Sequence, residues 1–183
     1  FLSYLELTKR VGGRPVSVSL DEDRRLSPES VADRITGKTK LLILNSPSNP
    51  TGSVATAEQM KALAQIAEDR DIALLSEEVY EHFIYRGDHV SPARFSDNVI
   101  TVNAVSKTYA MTGWRLGYLG ARGYGLEQLL KIHQYVQACA SSISQAAALE
   151  AVTGPQDCVA LMRDEFRARR DLLVKGFREM GLD

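Results

Sequence analysis

Six side chains in this sequence have types that could work together: Asn49, Glu77, Tyr80, Ser106, Lys107 and Arg115. An arginine fork and a serine hydroxyl suit a phosphate monoester, the arginine gripping two oxygens at once. A carboxylate wants a cation, such as a protonated ring nitrogen. A phenol and a carboxamide can both donate to a phenolate oxygen. A partly desolvated lysine amine with a second cation nearby can condense with an aldehyde. Asn49 lies in NSPSNPTG, Glu77 and Tyr80 in SEEVYEHF, and the other three in NAVSKTYAMTGWRLGY. Taken singly, these segments read as a turn, a solvated helix start and a solvated lysine. Only convergence gives them a joint meaning.

Convergence requires elements that end along one edge. Each segment follows a short apolar run: KLLILNSP, DIALLSEE and NVITVNAVS, with RLGYLGA returning afterwards and PVSVSL preceding them all. Unbroken apolar runs predict strands covered on both faces. Helical patterns lie between them. SPES offers Ser27 as a cap and Pro28 at the first helical position. TAEQMKALAQIAEDRD sets Thr56 and Gln59 at capping-box spacing, then Met60, Leu63 and Ala67 on one face. LEQLLKIHQYVQACA carries Leu126, Leu129, Leu130 and His133 on one stripe, with His133 expected in the core. A last segment spaces Met162, Phe166, Leu173 and Phe177 helically among Arg and Asp. The rhythm predicts an α/β fold, a largely parallel doubly wound sheet flanked by helices. In such sheets working groups gather beyond the carboxyl ends of the strands, where all six residues fall.

Composition narrows the class. The 183 residues are 44% hydrophobic and 25% charged with a formal charge of −1, the balance of an ordinary soluble domain. No run of like charge suggests nucleic acid or an anionic membrane, and no apolar run could span a bilayer. Cys139 and Cys158 have neither a CxxC nor a histidine companion, which predicts free buried thiols in a reducing, cytoplasmic setting. His82, His89 and His133 show no metal-ligand spacing, so no metal is expected. Trp114 is expected to pack. The chain opens at Phe1 as if inside a helix and closes on GFREMGLD, which suggests a piece of a longer protein.

Phosphate, pyridinium, phenolate and aldehyde together describe pyridoxal 5′-phosphate (PLP). The segments NSPSNPTG, SEEVYEHF and SKTYAMTGWRLGY resemble, in order and spacing, the signature blocks of the class I/II aminotransferases, the aspartate-aminotransferase-like fold type I of PLP enzymes. The resemblance implies a Schiff-base role for Lys107, which would also shuttle the substrate's α-proton. It implies that Arg115 and Ser106 hold the phosphate, and that Asn49 and Tyr80 bond the ring's 3-oxygen. It places Phe1 against the face of the ring. Gly113 would permit close backbone approach.

The match has departures. Glu77 stands where the family has an aspartate facing the ring nitrogen, so Glu77→Asp is expected to raise cofactor affinity or rate. Ala104 replaces a second phosphate-binding serine found in many members. The family's phosphate loop and its carboxylate-gripping arginine have no counterpart in this sequence. The expectation is thus a partial large domain over 1–183, with 156–183 leading to an absent small domain. Its activity would be amino transfer between an amino acid (aspartate-like or other) and a 2-oxo acid, in a homodimer. A β-lyase or another PLP reaction at the same site, or an inactive folded fragment, are the alternatives.

Overall fold

Leucine, isoleucine and valine runs that must be covered on both faces become the strands of one sheet. In the computed structural model, which describes residues 2–21, 25–122 and 124–182, the strands are β1 (Leu41–Asn45), β2 (Ala73–Glu77), β3 (Val99–Ala104) and β4 (Gly117–Gly120). They lie in that order, β1–β2 and β2–β3 parallel, β4 antiparallel to β3. The helices are α1 (Leu2–Arg10), α2 (Pro28–Ala32), α3 (Ala57–Asp69), α4 (Val105–Thr108), α5 (Tyr124–Val136), α6 (Ser142–Thr153) and α7 (Asp157–Glu179). Helix α3 makes the crossover from β1 to β2. The crossover from β2 to β3 holds only a 3₁₀ turn at Pro92–Arg94, since residues 78–98 lack an apolar helical period.

The core lies where α3 and α2 cover the sheet. Met60, Leu63 and Ala67 of α3 meet Leu44, Leu74 and Val99 of the strands, with Val31 and Ile72 beside them. Full burial of such side chains contributes about 1.5–3 kcal/mol each for the larger ones. Helix α3 starts where the spacing predicted. The Thr56 hydroxyl accepts from the Gln59 amide at 3.2 Å, and the Gln59 side chain accepts from the Thr56 amide at 2.8 Å. The same Gln59 donates to the Leu26 carbonyl, tying the cap to the segment before α2. Thr56→Ala is expected to lower stability by about 1 kcal/mol. A lower urea midpoint with an unchanged m-value would register it.

Several expectations change. Residues 15–20 pair with no strand and run as irregular chain. Helix α6, alanine-rich and without a clear apolar stripe, escaped the periodicity reading. Helix α5 stops at Val136, so Cys139 lies in the loop beyond it, and both free cysteines are exposed instead of buried. Leu126, Leu130 and His133 on α5, and Phe166, Leu173 and Phe177 on α7, are exposed too. A stripe at helical spacing shows that a face is apolar. It does not show that the same chain supplies a cover for it. No helix among the described residues is long and apolar enough to cross a membrane.

Candidate active site

Parallel pairing sets the strand ends level. Asn45 of β1 pairs with Glu77 of β2, and Glu77 with Val102 of β3. Two further bonds carry the alignment past the sheet, Ser46 N–H to the Glu77 carbonyl at 3.1 Å and Glu78 N–H to the Val102 carbonyl at 2.9 Å. The segments bearing the six residues therefore leave the sheet side by side.

Three of the six meet directly. The Asn49 side-chain amide donates to the Tyr80 hydroxyl at 3.4 Å, and the Lys107 ammonium lies 5.8 Å from the centre of the Tyr80 ring. The latter is within cation–π range. Asn49 is held in turn by its backbone N–H, which donates to the Asn45 side chain at 3.0 Å. Lys107 sits at the end of α4, a single turn directly after β3, with half-buried Ser106 beside it. Its side chain is exposed, so the protein itself does not desolvate the amine as expected.

Arg115 belongs to a separate structure, the turn that joins α4 to β4. Its backbone is left-handed, with φ 52°, a conformation uncommon outside glycine. Its guanidinium donates to the Thr112 carbonyl at 3.1 Å. The turn is anchored from outside, since buried Ser144 of α6 donates to the Trp114 carbonyl at 2.8 Å and Tyr109 donates to Gln156 at 2.9 Å. The Trp114 ring is exposed and does not pack as expected. A Cβ on Gly113 would meet open space, so close approach is not its role within this chain. Gly117 and Gly120 carry that demand, because a Cβ there would come within 3.0 Å of the Asn103 carbonyl and 2.9 Å of the Thr101 hydroxyl. Phe1 lies outside the described residues.

The two glutamates at the end of β2 face opposite ways, as strand alternation requires. Glu77 is half-buried and accepts the Tyr4 hydroxyl of α1 on Oε2 at 2.7 Å. Burial foremost, then the bond to Glu77 and its charge, pushes the Tyr4 phenol well above its usual range, so it stays a donor at physiological pH. Glu78, only 4% exposed, faces His89 at 2.9 Å and accepts the Ser91 hydroxyl at 2.8 Å. Burial opposes its charge most strongly, yet the bonds from His89 and Ser91 and the His89 charge outweigh it and leave the pKa below the usual value. The Ser76 hydroxyl adds to this from nearby, without hydrogen-bonding geometry. Glu81 joins this group, accepting from Asn103 at 2.5 Å. Glu78, Glu81 and His89 bring ligand-type atoms within 4.8 Å of one another, with hydrogen bonds already on all three.

Glu78 and Glu81 thus fasten both sides of the turn that carries Tyr80. Because the Glu78 pKa is lowered on folding, its contribution is complete above the unfolded value of about 4.3 and is lost as pH falls through the lower, folded value. Thermal melts of wild type and Glu78→Gln from pH 7 to 3 should therefore converge on the acid side. Parallel curves would contradict this. Tyr4, Ser144 and the Glu78–His89 pair were missed in the sequence. Only Glu78 left a signal, its alternation with Ser76 and Leu74 along β2.

Comparison with known proteins follows the same lines. The family model described as aminotransferase class I and II matches residues 1–183. A probable aspartate aminotransferase of Methanocaldococcus jannaschii is 46% identical over 186 residues, covering 98% of this chain and 50% of the relative. A probable aspartate/prephenate aminotransferase of Thermus aquaticus is 40% identical, covering 100% of this chain and 49% of the relative. Among solved structures, an aspartate aminotransferase tetra mutant of Thermus thermophilus superposes with a TM-score of 0.96 at 39% identity, over 100% of this chain and 52% of that one. The chain spans about half the length of the curated relatives it matches.

Proposed function

Because the chain belongs to the class I and II aminotransferases, we propose that its protein moves an amino group between an amino acid and a 2-oxo acid, with PLP as cofactor. The observation that carries this is the meeting of Asn49, Tyr80 and Lys107 beyond adjacent strand ends. The donor set fits the cofactor. An amide and a phenol share one spot beside an amine, and a carboxylate ends the strand that leads to the phenol. When bound, the cofactor supplies an electron-withdrawing ring that stabilises negative charge at the substrate's α-carbon. Lys107 would hold the cofactor by condensing with its aldehyde, with loss of water, and would be the group that accepts and returns the substrate's α-proton. Tyr80 and Asn49 would donate to the ring's 3-oxygen. Glu77 would accept from the ring nitrogen and so keep it protonated. Arg115 and Ser106 would bind the phosphate, and the family resemblance assigns the ring face to Phe1.

Residues 1–183 act in this reading as the larger, cofactor-binding domain, and 156–183 lead towards a smaller one. A homodimer in the cytoplasm is its expected setting, and the relatives' names favour an acidic amino acid as substrate. The test is to add PLP to the protein and follow its visible absorbance, then assay amino transfer from aspartate to 2-oxoglutarate beside release of ammonia. Transfer with a cofactor band is the expected result. Ammonia release without transfer would point to elimination at the same site, and no band would end the reading.

A further inference from the structure

Glu77 is one methylene longer than the aspartate this position was expected to carry, and the structure gives that length a partner. Tyr4, from the first helix, reaches it at 2.7 Å across a sequence separation of 73 residues. The hydroxyl takes Oε2 alone. We propose that Tyr4 is the positioning residue for Glu77, fixing one carboxylate oxygen so that the other faces the cofactor's ring nitrogen. This rests on the PLP reading above.

A glutamate has one more rotatable bond than an aspartate, so an unrestrained Glu77 would spread its charge over more positions. A hydrogen bond to a carboxylate is short and directional, and here its donor stands on a helix. Helix α1 carries Tyr4, whose carbonyl accepts the Thr8 hydroxyl at 2.7 Å. The neighbouring Glu78 is committed to His89 and Ser91 on the other face, so it cannot stand in for Glu77. Shortening residue 77 to aspartate would withdraw the carboxylate by about 1.5 Å, the length of one C–C bond, and break the contact with Tyr4. On this geometry Glu77→Asp weakens the site, the reverse of what the sequence alone leads one to expect.

The test is a double-mutant cycle of wild type, Tyr4→Phe, Glu77→Asp and the double variant, made in the protein as encoded. PLP dissociation constants are measured for each, with the ¹⁵N shift of ring-labelled cofactor followed against pH. Tyr4→Phe should raise the dissociation constant about fivefold in the Glu77 background and under twofold in the aspartate background, the signature of a coupled pair. In the Glu77 background it should also move deprotonation of the ring nitrogen to lower pH. Equal effects in both backgrounds, an unmoved ¹⁵N titration, or tighter binding by Glu77→Asp would each overturn the proposal while leaving the PLP reading intact. A fall in apoprotein melting temperature without a ¹⁵N change would reduce Tyr4 to a structural role and overturn it too. Wild type that binds no PLP would remove both readings.

Discussion

Lys107→Ala should abolish the visible band formed with PLP and lower amino transfer by at least about 10⁴-fold. General acid–base catalysis by one positioned side chain is worth up to about 10⁴-fold, and in the proposed function this amine has a second task, holding the aldehyde. The fold should survive the change. Lys107 is exposed at the end of a single helical turn, and exposed substitutions of this kind shift stability by no more than about 0.5 kcal/mol. A thermal melt coincident with wild type, beside a lost band, separates chemistry from unfolding. A variant that kept the band would show that another amine does the work and would unseat Lys107.

Arg115→Ala should weaken PLP binding by about 30- to 150-fold. A hydrogen bond to a charged group is worth about 1.5–3 kcal/mol. For an exposed arginine that would give the phosphate two such bonds, we expect about 2–3 kcal/mol in all, and each 1.4 kcal/mol is tenfold. Arg115→Lys should recover only part of this, because an ammonium lacks the planar fork. The left-handed backbone at this position offers a control. Arg115→Gly loses the guanidinium as fully as alanine does, but relieves a conformation that costs other residues about 1–2 kcal/mol. The glycine variant should therefore melt higher than the alanine variant while binding PLP equally poorly. Equal melting with restored binding in either would disconnect Arg115 from the phosphate.

Strand positions, the capping box of α3 and the candidate site residues at the strand ends were legible because each is written in a few adjacent residues. An apolar run names its strand, Thr56 and Gln59 name their cap, and a polar cluster after each run names the edge where chemistry collects. The burial of Met60, Leu63 and Ala67 followed from spacing alone, since α3 crosses over the sheet between two strands. The same spacing misled for α5 and α7. Their apolar faces are as regular, but Phe83 reaches only Phe166 of α7, and Leu126, Leu130, Leu173 and Phe177 stay exposed among the described residues. The segment at 15–20 misled for a related reason, as β propensity without a neighbouring strand makes no ladder.

By itself the sequence determined which residues end each strand and therefore which chemical groups crowd one edge of the sheet. Tertiary structure alone decided how those groups are paired: Tyr4 with Glu77, Asn49 with Tyr80, Ser144 with the turn that presents Arg115. Periodicity and capping act over a few residues, so they are readable locally. Partners separated by 30 to 73 residues are set by strand register and by the paths of the crossovers, which no short stretch encodes.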